Sequence, residues 1–308
     1  MTDLPVALPS SLPVATVGGG GAVYDRGYRP YDGRRGGRRD AVAALFRTTV
    51  RRALGLRRSW RQKVFPWSLL VIATVPAVVN VGIAYLTRDT RLEAIELITY
   101  REYVGVSVAL LLFVGLTAPD VICPDRRQRV LPLIFARPLV GRDYVMAKVG
   151  AIFAIVFAFG LLPQIVLFIG RMLVSDGALD YFTGNLEVLW QVPVAVALLA
   201  VYYAVIGVAA ASLTTRRVVG GAIVVGLLLI TSTIAEVVQG TSNASLGAVI
   251  NVLALPLHLR DLVFLGEADP AGPLADIDGG MVAAVGVYVF VLTTGLTILL
   301  RRYRWVEL

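Results

Sequence analysis

Residues 124–148 read PDRRQRVLPLIFARPLVGRDYVMAK, a basic, proline-broken segment held between two long apolar runs. Six of its side chains are Arg or Lys: Arg126, Arg127, Arg129, Arg137, Arg142 and Lys148. A short connection between membrane helices retains that much positive charge when it faces the cytoplasm. The segment therefore predicts both a fold class, an all-α polytopic membrane protein, and the side of the membrane on which this connection lies.

The rest of the chain agrees with that reading. Of its 308 residues 57% are hydrophobic and only 16% charged, with a mean hydropathy of +0.74. A soluble domain carries about 25% charged residues. Six apolar runs are long enough to cross about 30 Å of hydrocarbon: roughly 65–86, 103–122, 146–173, 188–213, 218–238 and 281–300. The fourth and fifth are separated by only 214–217, which predicts a helical hairpin. Charge then orients the set. The segments on the side of 124–148, both termini included, hold 24 of the 29 Lys and Arg, and the other side holds Arg88, Arg91, Arg101, Arg171 and Arg260. Cytoplasmic termini in a plasma (inner) membrane follow. The stretch 246–257 is apolar, but it is too short to span and is interrupted by Pro256, so the loop 239–280 is expected to hold a re-entrant or interfacial piece.

Ahead of the spans, residues 1–40 are rich in Pro, Gly and Arg and predict a disordered tail. No basic stretch followed by an apolar core marks a cleavable signal there, so insertion is expected through the first span. In 41–63, Val42, Leu45, Phe46, Val50 and Leu54 recur at helical spacing, while Arg47, Arg51 and Arg58 fall largely opposite. With Asp40 as the expected cap, this is an amphipathic helix of the kind that lies in a membrane interface. The spans and their connections fill 64–308.

Several chemistries are excluded. Gly18 to Gly21 are followed by no Gly-Lys-Ser/Thr, so there is no phosphate-binding loop. Cys123 is the only cysteine and His258 the only histidine, which removes disulfides and the common metal signatures. The net charge of +8 suggests nucleic acid until the charges are placed beside the spans, where they serve orientation instead. No nucleophile elbow is present either. No catalytic chemistry is expected of the chain.

The loop also resembles a known pattern. Asp125-Arg126-Arg127, then Leu131-Pro132-Leu133, Arg137-Pro138-Leu139 and Arg142-Asp143-Tyr144-Val145, ending at Lys148, is similar to the corresponding connection in membrane subunits of ABC-2 type ABC exporters. The six spans, the amphipathic helix before the first and the cytoplasmic termini match that family too. The run YDRGYRPYDG at 24–33 looks like the leader of its actinobacterial members. One departure is Val140-Gly141, where members often carry a Ser. The resemblance implies an exporting permease subunit that binds no cofactor itself. ATP and Mg would sit on a separate cytoplasmic ABC ATPase, two copies per transporter, seated on the connection at about 123–145. It also implies a second permease chain, as homodimer or heterodimer. The residues it marks for coupling are Asp125, Arg126, Arg127, Leu131, Pro132, Arg137, Pro138, Asp143, Tyr144 and Lys148.

Without the family, the segment still has a physical sense. Asp125 is expected to cap a short helix lined by Arg126, Arg127 and Arg129, with Val130, Leu131, Leu133 and Phe135 as apolar anchors. Arg137-Pro138 stops it, and Gly141 and Asp143 open the next span. Such a helix suits a groove on a partner, or else its arginines only rest on anionic headgroups. Within the spans, Asp120 is expected to pair with Arg126 or Arg127. Asn80 and Gln164 are expected to bond between helices or to line a pathway, and Glu236 to lie at a gate or at the interface. Gly220, Gly221 and Gly226, with Ala209 to Ala211, predict close helix contacts, inside the subunit or at a dimer seam. An autonomous secondary carrier and a membrane-embedded enzyme are the rival classes. They would show internal repeats or clustered catalytic side chains, and this sequence shows neither.

Overall fold

A computed structural model describes residues 36–56, 60–87, 98–105, 108–240, 244–275, 277 and 279–304. Among these, twelve helices and no strand occur: α1 Arg38–Ala53, α2 Trp60–Thr87, α3 Tyr100–Tyr103, α4 Val108–Arg127, α5 Leu131–Phe135, α6 Gly141–Val174, α7 Ala178–Gly184, α8 Leu186–Ala211, α9 Arg217–Gln239, α10 Ala244–Ile250, α11 Leu255–Leu265 and α12 Gly280–Arg304. Six of them, α2, α4, α6, α8, α9 and α12, are long and apolar enough to cross a membrane, as the hydropathy predicts. Most of the expected tail, 1–35, and Arg58 lie outside the described residues, as does the 24–33 run.

The six helices differ in what surrounds them. The central pair, α4 and α8, is buried along most of its length, whereas α2, α9 and α12 turn most of theirs outward. Their outer faces are apolar: Val71, Ile230, Val282 and Phe290 are all more than half exposed. Water would penalise such a surface; lipid does not.

Close approach between α4 and α9 depends on glycine. A Cβ on Gly221 would stand 2.7 Å from the carbonyl oxygen of Gly115, and one on Gly220 would meet Pro119 and Cys123 at 3.0 and 3.3 Å. Gly220 and Gly221 thus pack inside the subunit, while Gly226 faces open space.

The helix ends depart from the sequence reading in instructive ways. In α1 the capping position is Gly37, and Asp40 sits three residues later, its carboxylate accepting the Gly37 N–H at 3.2 Å. Helix α4 does not stop before Pro124. It carries on through Asp125 to Arg127, so Asp125 closes one helix instead of opening the next. Arg129, at φ 52°, turns the chain through the left-handed region, and α5 begins after Val130. Val140, not Gly141, precedes α6, and Asp143 accepts its N–H at 3.2 Å.

The segment between α9 and α12 folds back onto the bundle as a broken helix. Asn251 caps the break, its side chain accepting the Ala254 N–H at 3.0 Å. Tyr202 and Tyr203 of α8 donate to the carbonyls of Val252 and Leu253 at 2.9 and 2.6 Å. These tyrosines lie about 24 Å along α8 from its Leu186 end, at 1.5 Å per residue. The irregular backbone of this piece is thus satisfied in part by side chains of α8.

Candidate functional site

The basic connection forms a knot of charge at one end of the bundle. Asp125, in the last turn of α4, is 3% exposed. Its Oδ1 accepts from Arg52 of α1 at 2.9 Å, and its Oδ2 from the Tyr144 hydroxyl at 3.1 Å. Lys148 Nζ approaches that same Oδ2 at 2.6 Å and donates to the Val121 carbonyl at 3.0 Å. Tyr144 also packs on Tyr303 of α12, with ring centroids 5.0 Å apart. One carboxylate thus ties together α1, α4 and α6, and through Tyr144 reaches α12.

Two further contacts extend the knot. Arg126 donates to the carbonyls of Ser212 and Thr214 in the α8–α9 turn, orphan acceptors at a helix end. Arg38 clasps Asp143 through two bonds, at 2.7 and 2.8 Å. The neighbouring carboxylate holds the Arg38 guanidinium above its usual pKa. Asp120 pairs with Arg217 of α9 at 2.5 Å, a partner the sequence did not suggest.

The ten residues marked for coupling therefore divide. Asp125, Leu131, Tyr144 and Lys148 face inward and are buried; Arg126 is half-buried and Asp143 is held by Arg38. Arg127, Pro132, Arg137 and Pro138 are exposed. Between them α5 projects from the bundle, with Leu133 72% exposed. Three residues join α4 to α5 and five join α5 to α6, so α5 cannot move far without pulling on both long helices.

The polar residues expected within the spans gather in part near the opposite end of α6. Asn80 accepts two bonds from Arg171, at 3.0 and 3.3 Å. Arg171 also covers the Tyr100 ring at 5.0 Å and donates to the Ile98 carbonyl. Gln164 Nε2 reaches the Tyr100 carbonyl at 3.5 Å. Glu236 stands apart, exposed on α9. Asn80 and Gln164 thus bond between elements, around a tyrosine that the sequence reading did not single out. Arg52 was missed as well, although the sequence carries its signal: it follows Leu45 by seven positions and Thr49 by three, on the inward face of α1.

No group of three His, Cys, Asp or Glu side chains able to hold a metal occurs among the described residues. Comparison with family models, with curated proteins and with solved structures gives no match for this chain.

Proposed function

We propose that this chain is the membrane-spanning permease subunit of an ABC-2 type ABC transporter in the plasma membrane, with α5 as the element on which a separate ATPase acts. The observation that carries the reading is the pairing of a projecting helix with a rigid root. Leu133, Arg127 and Arg137 stand outward on or beside α5, while Asp125, Arg52, Tyr144 and Lys148 lock the helices from which it springs. An exposed apolar side chain between cations suits a groove on a cytoplasmic partner. ATP and Mg belong to that partner, and closure of two ATPases would displace α5. Because α4 and α6 are clamped to α1 and α12 at this end, the displacement moves the bundle as a body instead of bending a loop. A pair of six-span chains would enclose the pathway, and export is the direction the family resemblance favours. The α1 helix, with Arg47 and Arg51 outward and Phe46 turned inward, would lie along the inner leaflet.

The test is co-purification with a co-expressed ABC ATPase from the same source. Arg127→Glu combined with Leu133→Asp, both exposed, is expected to abolish association while insertion and melting temperature stay unchanged. Undiminished association of that variant would refute the role given to α5. Substrate turnover by the chain without any ATPase would refute the permease reading as a whole.

A further inference from the structure

Between α1 and α5, on the side of α5 that faces the bundle, lies a cleft of about 360 Å³ that shares Leu133 and Arg137 with the coupling element and adds Thr49 and the α1 face to them. The small side chains Ala41 and Ala44 leave room for it on the α1 side. Leu45, Leu133, Ile134 and Leu139 give apolar walls, and Arg52, Arg137, Lys148 and Asp125 supply the charges. Three cations meet one carboxylate there, so the cleft holds an excess of positive charge after Asp125 has been matched.

The donors are also incompletely used. Among the described residues, Arg52 spends one of its five N–H groups on Asp125, and Arg137 makes no side-chain bond at all. Thr49, 2% exposed, lines the same cleft, and its hydroxyl has no partner. Its neighbour Thr48 shows the usual alternative, donating back to the Ala44 carbonyl at 2.7 Å. A buried hydroxyl without a bond is destabilising, and a bound ligand would relieve it.

We infer that this cleft binds the phosphodiester headgroup of an anionic glycerophospholipid, with Arg52, Arg137 and Thr49 on the phosphate and the leucine walls on the start of the acyl chains. Guanidinium is the natural partner of phosphate oxygens because its planar donors match them two at a time. The apolar walls distinguish a lipid from free phosphate, which would gain nothing from them. The volume lies within the range of small-molecule sites, and basic pockets at helix ends are where anionic headgroups settle. The inference does not depend on the transport reading.

The experiment uses the full chain, purified alone in a neutral maltoside detergent and followed by thermal unfolding. Palmitoyl-oleoyl phosphatidylglycerol is expected to raise the melting temperature saturably, by about 3–6 °C at excess lipid. Arg137→Gln should raise the half-saturating concentration by about tenfold or more and Thr49→Val by about two- to tenfold, scaled to one charged and one neutral hydrogen bond respectively. Arg137 is exposed and unpaired, so its variant keeps the fold even where Arg52→Gln does not. An equal shift with palmitoyl-oleoyl phosphatidylcholine, or with sodium phosphate alone, would overturn the assignment. So would wild-type half-saturation in Arg137→Gln. No ATPase is present in any arm, and Arg127 and Leu133 stay intact, so this result and the coupling result are read separately.

Discussion

Asp125 is the residue on which the α5 end of the bundle turns. Two buried or half-buried cations, Arg52 and Lys148, share its carboxylate, and removing one member of such a group leaves uncompensated charge costing about 3–5 kcal/mol. Asp125→Ala is therefore expected to lower the melting temperature sharply. Lys148→Met in the same chain should restore part of the loss, because only Arg52 is then left without its carboxylate. A double-mutant cycle by thermal unfolding checks this, and additive losses would mean that the two groups do not interact. The proximity of Lys148 to this carboxylate is invisible in the sequence. On a short basic segment the inward and outward cations look alike, and only the direction in which α4 continues past Pro124 decides between them. Arg127 and Arg126 are adjacent, yet one is exposed and the other bonds into the α8–α9 turn.

The element scale shows where a reading of the residues succeeds and where it stops. The six long helices are legible because an apolar run of the right length has few other fates. The inward face of α1 is legible from its helical period, and the α8–α9 hairpin from its short turn. The two short helices α10 and α11 are not, because what fixes them is remote: two tyrosine hydroxyls reaching from α8, fifty residues earlier in sequence. The α4–α9 contact is a third case, in which the sequence suggested close packing but not its partner. Gly221→Ala would drive a methyl against the Gly115 carbonyl and should cost about 1–3 kcal/mol, whereas Gly226→Ala should be neutral or mildly stabilising in the helix. Thermal unfolding of the two variants provides the comparison. In the loop before α12, Asp269 accepts the Ala271 N–H at 3.1 Å and pairs with Arg101 at 3.0 Å. That backbone bond, aided by Arg101, holds its pKa below the ordinary value. A depressed carboxylate contributes stability above its unfolded pKa and loses it as pH falls toward the folded one. Melting temperature should thus drop below about pH 4 in the wild type, and Asp269→Asn should flatten that drop.

At the scale of the whole molecule, the charge asymmetry makes a topological prediction independent of any partner. The charge rule predicts both termini on the cytoplasmic side with α5, so a cytoplasm-active reporter fused to Leu308 should give signal. Signal only from a periplasm-active reporter would require an odd number of crossings. Among the described residues, the broken α10–α11 segment adds no seventh helix long enough to cross a membrane.

The longest helix, α6, constrains how such a bundle can move. Lys148 and Arg171 lie 23 positions apart on it, about 35 Å along the axis, close to the roughly 30 Å of hydrocarbon. Each is held in place, Lys148 by the charge of Asp125 and Arg171 by bonds to the Asn80 amide and cover from the Tyr100 ring. Sliding α6 lengthwise by a single turn would drag one cation or the other into the oily interior and strip it of its counterpart. Piston travel is thereby closed to this helix, and rocking or rolling about its two moorings is the freedom it retains.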